Sequence, residues 1–303
     1  MKLILKLLIS AGILVWLVTQ LDLDATWQRL QQTNIGWVAL ACLCMFFGQF
    51  MCAIRWTWLA RGLGMAVHLA RKVQLYFLGI FLSLFLPSIV GGDVARAYLL
   101  AKPRSGQGWN AAASVILERV NGLCALTVLV SACMLAIDLP EIWLIIWLAT
   151  VTAFWLAVLS YGYWSPYLPR VFSSWKSLPI NTPAFSSAWF RSLPISFAFQ
   201  VLVVQAHVLL ALSVGLELSW PILGFIVGLV GIASAVPISF NGFGIRETGY
   251  VGLAVYFGGS SDAAAAMAAL WVVVLVVVAI PGSIVLWRLG GTKALRKSEE
   301  SVS

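Results

Sequence analysis

The chain has 303 residues, of which 61% are hydrophobic and only 10% are charged, and its mean hydropathy is +0.97. This composition excludes an ordinary water-soluble globular protein, in which apolar residues make up about 45–50% of the chain. The formal net charge of +8 would indicate a nucleic-acid ligand in a soluble protein. In a membrane protein the distribution of Lys and Arg between the two sides accounts for it, so we expect no nucleic-acid partner.

Long apolar runs recur from the beginning of the sequence to its end. A helix of about 20 apolar residues crosses a hydrocarbon core of roughly 30 Å. The first run has the basic flank of a signal peptide but no A-x-A cleavage pattern, so we predict a retained helix. The predicted spanning helices lie at 3–20, 36–60, 109–136, 141–162, 193–214 and 263–289.

The segments between these runs are short. After the first run, "LDLDATWQRLQQTN" predicts an amphipathic helix on the membrane surface. The longest predicted loop covers residues 163–192 and contains four prolines. We expect residues 1–303 to form a single membrane domain that ends in a cytoplasmic tail, 293–303.

Two further apolar segments, 80–100 and 225–258, are interrupted by proline and glycine. We predict that each enters the membrane as a broken helix and returns to the same side as a re-entrant hairpin. The two segments share a layout, because Pro87, Gly92 and Arg96 precede Pro237, Gly242 and Arg246 by 150 positions.

The fold class predicted from this layout is an all-α polytopic membrane protein with six spanning helices and two re-entrant hairpins. Each half reads span, span, hairpin, span, so an odd number of crossings would turn the second half upside down. The halves would be residues 1–137 and 138–292. Such inverted repeats are typical of secondary transporters, where paired broken helices mark the substrate site. The alternative is a coincidental match between two kinks.

The positive charges favour one orientation of this arrangement. With both termini in the cytoplasm, 15 of the 19 Lys and Arg residues, Arg55 and Lys72 among them, fall on the cytoplasmic side. Only Arg29 falls outside, and Arg96, Arg119 and Arg246 lie within the membrane. This sorting follows the positive-inside rule and predicts a multi-pass protein of the bacterial inner membrane.

Three acid–base neighbours fall in membrane sequence. A charge at the bilayer centre costs roughly 2.5–3.5 kcal/mol, so these groups must pair or face water, and we expect them to converge inside the bundle. Neighbours on one helix point about 100° apart, so we predict that Glu118 and Arg119 serve different hairpins. The three neighbours are Asp93 with Arg96, Glu118 with Arg119, and Arg246 with Glu247.

The glycines suggest why the breaks occur where they do. In "GGDVAR", Asp93 is predicted to cap a short helix that begins after Gly91 and Gly92. "NGFGIRE" offers a second helix N-terminus, and free N–H groups at such ends attract anions. The planar fork of arginine suits phosphate because it binds two oxygens at once.

These features together predict a phosphate or headgroup site near the membrane midplane. Tyr98 and Tyr250 follow the hairpins and could donate to the same ligand, although core or interfacial positions explain them equally well. The alternative for the charged residues is three structural ion pairs. We predict no catalytic residues and no metal ligands. The predicted substrate-binding residues are Gly91, Gly92, Asp93, Arg96, Tyr98, Glu118, Arg119, Asn241, Gly242, Gly244, Arg246, Glu247 and Tyr250.

Three stretches carry a resemblance to a known family. "LPSIVGGDVARAYLL", "ERVNGL" and "PISFNGFGIRETGY" are similar to the signature stretches of the lysylphosphatidylglycerol synthase transmembrane-region family. That family includes the flippase-like half of multiple-peptide-resistance proteins, so the resemblance implies movement of a lipid headgroup between leaflets. The soluble aminoacyl-transferring domain of the fused relatives is absent from this sequence, and we therefore expect no synthesis of lysyl-lipid.

The leading hypothesis is a flippase or transporter for an anionic or polyprenyl-phosphate-linked lipid. A non-transporting protein that presents lipid to a membrane glycosyltransferase or acyltransferase is the alternative. An intramembrane enzyme is less favoured, because the sequence lacks clustered histidines or an Asp-rich metal motif. The expected partners are a membrane lipid and lipid-modifying enzymes, and no cofactor is expected.

Overall fold

The computed structural model describes residues 2–65, 68–85, 91–102, 106–164, 167, 178–235, 242 and 244–289. Within these residues the regular elements are helices and no strand occurs. The helices are α1 (Lys2–Gln20), α2 (Leu23–Gln31), α3 (Ile35–Gly62), α4 (Leu69–Phe85), α5 (Gly91–Ala101), α6 (Gly108–Met134), α7 (Glu141–Leu159), α8 (Pro183–Val214), α9 (Trp220–Ala235), α10 (Ile245–Tyr256) and α11 (Ser261–Arg288), with short helical turns at Tyr161–Trp164 and Pro179–Asn181.

Five helices are long and apolar enough to cross a membrane: α3, α6, α7, α8 and α11. They confirm the prediction of a multi-pass helical membrane protein and correspond to five of the six predicted spans. The first predicted span forms α1, whose described apolar part is Ser10–Gln20. The crossing of the membrane by α1 stays a prediction.

The predicted amphipathic helix is present as α2, and its position on the membrane surface stays a prediction. Asp22 caps it by accepting a hydrogen bond from the Ala25 N–H at 3.0 Å. Leu23 and Trp27 are exposed, as expected for a helix at a membrane interface. Arg29 fastens this helix to α11 through an ion pair with Asp262 at 2.9 Å.

The predicted loop 163–192 was too long. Helix α8 begins at Pro183, because the Thr182 hydroxyl accepts a hydrogen bond from the Phe185 N–H and proline fits the first helical position. Pro194 then lies within α8, whereas the prediction began a span at residue 193.

Helices α4 and α5 pack side by side and run in opposite directions. A methyl group on Gly92 would lie only 2.0 Å from the Gly79 carbonyl oxygen and 2.2 Å from the Ser83 hydroxyl, so the two backbones are in close contact. One turn further along α5, the Arg96 guanidinium lies over the ring of Tyr76, 4.8 Å from its centroid. Residues later in α5 therefore meet residues earlier in α4.

Helices α9 and α10 pack in the same way. A Cβ on Gly242, just before α10, would lie 3.2 Å from Ser234, and one on Gly249 would lie 2.8 Å from Val230, so this pair is also antiparallel. The turns that join the two pairs, 86–90 and 236–241 with 243, lie outside the described residues. The re-entrant character of the two hairpins stays a prediction.

The helix boundaries repeat along the chain. Adding 150 to the bounds of α3 gives 185–212, close to those of α8, and adding 150 to α4 gives 219–235, close to α9. The same shift places α5 at 241–251 and α6 at 258–284, which overlap α10 and α11. The predicted offset of 150 residues thus extends over four consecutive helices.

The two central helices, α3 and α8, lie antiparallel along their whole length. Near one end the Asn34 N–H donates to the Ser213 carbonyl at 3.2 Å, and near the other a Cβ on Gly62 would lie 3.1 Å from the Phe185 Cα. The contacts between the outer helices also come in equivalent pairs. Gly282 of α11 packs against α4, and Gly228 of α9 packs against Val130 of α6.

Candidate functional site

Helix α5 carries two of the predicted charged residues into the bundle. Its buried side contains Gly92, Arg96 and Leu99, which follow one another at helical spacing. Because Gly92 brings α5 against α4, the Arg96 guanidinium packs against two neighbouring aromatic rings, 4.9 Å from the Trp56 centroid and 4.8 Å from the Tyr76 centroid. This packing fixes the position of the guanidinium.

Five charged side chains form an ion-pair network around Arg96. The Arg96 Nη2 donates to Glu118 Oε2 at 2.5 Å and lies 3.0 Å from Asp93 Oδ1. The second Glu118 oxygen accepts from Arg55. The second Asp93 oxygen accepts from Arg119 Nε at 2.8 Å.

The order of the network is Arg55, Glu118, Arg96, Asp93, Arg119, so positive and negative groups alternate with an arginine at each end. Three arginines and two carboxylates give the network a formal charge of +1. The Nε atoms of Arg55 and Arg96 are buried and make no hydrogen bond within the described part of the chain.

The inner end of the network is anchored to the second half of the chain. The Arg55 Nη1 donates to the Ser196 hydroxyl of α8 at 2.9 Å, and that hydroxyl donates to Asn121 Oδ1 at 2.5 Å. The Asn121 amide in turn donates to the Trp189 carbonyl at 3.3 Å. Arg55 is therefore held in place independently of Glu118.

Aromatic and hydroxyl groups surround the inner part of the ion-pair network. The Tyr76 hydroxyl donates to Glu118 Oε1 at 3.3 Å, and the Trp56 indole donates to Ser114 at 3.0 Å. Lys72 is fully buried, with its ammonium 5.6 Å from the Trp56 ring centroid. The inner part of the network is thus enclosed by polar and aromatic side chains.

The outer end of the network is open. The side chains of Arg55, Arg96 and Glu118 are at most 5% exposed, Asp93 is 13% exposed, and Arg119 is 57% exposed. Arg119 lies 11 residues after the start of α6 and 15 before its end. At 1.5 Å per residue these distances are about 17 and 22 Å, close to the middle of a membrane-spanning helix.

The corresponding region of the second half is closed on itself. The N–H of Gly244, whose φ is +87°, donates to Glu247 Oε2 at 2.7 Å. The other Glu247 oxygen accepts from Arg246 Nε and Nη2, at 3.1 and 2.9 Å. Helix α1 covers this end of α10, since a Cβ on Gly244 would lie 3.0 Å from Ile13.

Tyr250 faces the interior of the second half. Its hydroxyl lies 2.9 Å from His207 Nε2, and His207 Nδ1 lies 2.8 Å from the Val203 carbonyl oxygen. The His207 ring also packs on Trp271, with the two centroids 3.9 Å apart. Tyr250 is therefore a buried partner of His207.

The structure joins Asp93, Arg96, Glu118 and Arg119 in one group, whereas Arg246 and Glu247 form another. Glu118 and Arg119 both pair with residues of α5, so the prediction that they serve different hairpins was wrong. Their side chains point in different directions on α6, as expected. Arg96 and Asp93 lie about one turn apart on α5, and they pair with Glu118 and Arg119, respectively. Asp93 lies in the first turn of α5, and its two oxygens bind arginines, which corrects the prediction of a capping role.

The remaining predicted residues are placed as follows. Gly91 begins α5, Tyr98 is half-buried on the same helix, and Gly242 and Gly244 are buried beside α10. Asn241 lies outside the described residues. The positive φ values of Gly242 and Gly244, +79° and +87°, explain why glycine occupies both positions.

Arg55 belongs to the site although it was not among the predicted site residues. Both Arg55 and Lys72 were assigned to the cytoplasmic side, yet they are 4% and 0% exposed and lie inside the bundle. A signal was available, because Arg55 lies seven residues before the end of an apolar helix. A charge on Arg55 inside the membrane is as costly as the charge on Glu118, so Arg55 also needs a partner.

Comparisons with known proteins identify the family. The family model described as the lysylphosphatidylglycerol synthase TM region matches residues 3–282. A search of curated proteins finds no significant match. Among the described residues, no group of three His, Cys, Asp or Glu side chains is arranged to hold a metal ion.

Proposed function

The chain belongs to the lysylphosphatidylglycerol synthase TM region family, and from this premise we propose that it moves a phosphate-bearing lipid between the leaflets of the bacterial inner membrane. The lipid is anionic or polyprenyl-phosphate-linked, and both termini face the cytoplasm. The protein translocates its lipid without altering it chemically.

The exposed guanidinium of Arg119 is the observation that carries this proposal. A charged group near the middle of a spanning helix is costly when it faces hydrocarbon, and it is tolerated where it lines a water-filled opening. Arg119 is 57% exposed and is linked through Asp93 to the buried part of the network. A lipid headgroup that enters this opening meets fixed positive charge at mid-membrane depth.

The chemistry of the network suits a phosphate. Its formal charge of +1 is balanced by one anionic group, and guanidinium groups bind phosphate oxygens in pairs. The buried Nε donors of Arg55 and Arg96 offer further hydrogen bonds to such an anion.

The arrangement of the helices supports transport. If α3 and α8 are repeat equivalents, their antiparallel packing means that the two halves have opposite orientations in the membrane. Inverted halves of this kind allow a central site to open alternately to either side. The match of helix boundaries at an offset of 150 supports the equivalence.

Reconstituted protein tests the proposal. Liposomes of phosphatidylcholine would carry a trace of fluorescent phosphatidylglycerol, phosphatidic acid or polyprenyl monophosphate, and an impermeant quencher would report the fraction in the outer leaflet. We expect the protein to accelerate exchange of at least one of these lipids relative to protein-free liposomes. Exchange at the protein-free rate for all three would contradict the proposal and favour a lipid-presenting role without transport.

A further inference from the structure

The ion-pair network gives its central arginine a position that the others do not share. Arg96 contacts both carboxylates, Glu118 at 2.5 Å and Asp93 at 3.0 Å. Each of these carboxylates has a second arginine partner, Arg55 for Glu118 and Arg119 for Asp93. Arg96 is therefore the one arginine of the five-residue network that contacts both carboxylates, and its release leaves each carboxylate with an arginine of its own.

Resting on the proposed function, we infer that the lipid phosphate takes over Arg96, while Arg55 and Arg119 retain Glu118 and Asp93. The two carboxylates occupy Arg96 when no lipid is bound. Arg55 and Arg119 act as positioning residues, because they keep the displaced carboxylates neutralised while Arg96 binds the headgroup.

The energetic reason lies in the burial of Glu118, whose side chain is only 2% exposed. A buried carboxylate without a cation is strongly unfavourable, so Glu118 can leave Arg96 only if another cation remains beside it. Arg55 meets this requirement, since its side chain is 5% exposed and it already contacts the opposite oxygen of Glu118.

Arg55 is suited to this role because it does not depend on Glu118 for its position. Its Nη1 donates to Ser196 of α8, and Ser196 is itself held by Asn121. The exchange therefore requires no movement of α3. Small rotations of the Glu118 and Asp93 side chains are sufficient.

The geometry of Arg96 favours it as the receiving group. Its guanidinium packs against the Trp56 and Tyr76 rings, and its Nε is buried without a hydrogen-bond partner among the described residues. Once the carboxylates withdraw, Nε and Nη2 can both donate to one phosphate, while the contacts with the two rings hold the guanidinium in position.

The test first removes Arg55, the second cation beside Glu118, and then also removes the charge of the Glu118 carboxylate that requires it. In Arg55→Gln, Glu118 depends on Arg96 alone, so binding of the soluble probe dihexanoyl-phosphatidylglycerol in detergent should weaken by about a hundredfold. In Arg55→Gln/Glu118→Gln no carboxylate competes at that end, and binding should return to within about tenfold of wild type. Affinities are compared per folded protein, with the melting temperature measured alongside.

Arg61→Gln is the matched control, because Arg61 is an exposed arginine on the same helix. Its binding should equal that of wild type. If Arg55→Gln does not fold, Arg119→Gln tests the half-exposed end of the network, with Asp93→Asn as its rescuing partner. A loss of binding that Asp93→Asn restores supports the exchange.

Wild-type affinity in Arg55→Gln, or no recovery in the double variant, would overturn the inference. Inorganic phosphate serves as a competitor. If a lipid-borne phosphate binds Arg96, excess inorganic phosphate should displace the lipid, and the lipid should bind more tightly than free phosphate. Failure to compete, or tighter binding of free phosphate, would contradict it. If wild-type protein binds the lipid but does not translocate it, the proposed function is wrong. The exchange at Arg96 is not affected by that result, because it is tested by binding.

Discussion

The short helices α5 and α10 occupy equivalent places in the two halves of the chain but use their charged residues differently. Asp93 and Arg96 of α5 bind each other and also bind Arg119 and Glu118 of α6. Arg246 and Glu247 of α10 bind each other, and Glu247 also takes up the Gly244 N–H at the start of the same helix.

The surroundings of α5 and α10 also differ, because the network beside α5 is open at one end and the start of α10 is covered. Helix α1 covers the beginning of α10, whereas the network around α5 leads to the exposed side chain of Arg119. At the offset of 150 residues, Glu118 and Arg119 correspond to Ala268 and Ala269 in the second half. Similar backbones therefore carry an open, charged site in one half and a closed, locally satisfied helix end in the other.

The largest difference should appear when the acidic residue of each region is neutralised. Glu118→Gln leaves Arg55 without a counterion in the interior, and the free energy of unfolding in detergent micelles should fall by about 3–5 kcal/mol. Glu247→Gln loses mainly a helix-end hydrogen bond and a partly buried pair, and should cost about 1 kcal/mol. Equal losses would mean that the two regions are energetically alike.

A smaller effect is expected from adding a methyl group to each short helix. Gly92→Ala forces a contact of 2.0 Å with the Gly79 carbonyl oxygen, so α5 must move and stability should fall by about 1–3 kcal/mol. Gly252→Ala on α10 meets no atom within 4 Å and should raise stability by about 0.5–1 kcal/mol. Unfolding in detergent measures both, and a neutral Gly92→Ala would show that α4 and α5 are not closely packed.

The last comparison uses a single cysteine in each half to report access to water. In a variant without native cysteines, Arg119→Cys should react with a charged, impermeant maleimide because the position borders the polar opening. Ala269, at the equivalent place on α11, is also exposed, but we expect it to face lipid, so Ala269→Cys should stay unreactive. Comparable labelling of the two positions would remove the proposed difference between the halves.

Much of the helical framework could be predicted from the sequence. Apolar length alone locates α3, α6, α7 and α11, because a bilayer demands about 20 apolar residues per crossing. The glycine-flanked breaks near Asp93 and Arg246 also correctly marked the starts of two short helices. The beginning of α8 was misplaced because a proline-rich segment suggests a loop, although Pro183 with its Thr182 cap is an effective helix start.

The partners within the site were harder to predict. Sequence identifies charged residues that need partners, but the choice among them depends on which helices touch. Arg55 entered the site because α3 and α6 meet there, a contact between residues 63 positions apart. Arg246 and Glu247 pair although they are neighbours, because the Glu247 side chain bends back to its own helix end and the long arginine follows it.

Lipid translocation by Arg96→Lys and Arg246→Lys, at matched amounts of folded protein, tests the central claim most directly. Lysine keeps the charge but loses the planar fork. If the open network around α5 binds the phosphate, Arg96→Lys should lower the translocation rate at least about tenfold, whereas Arg246→Lys should change it less than about threefold. The opposite ranking, or near-normal rates for both variants, would contradict the assignment of the headgroup to the first half of the chain.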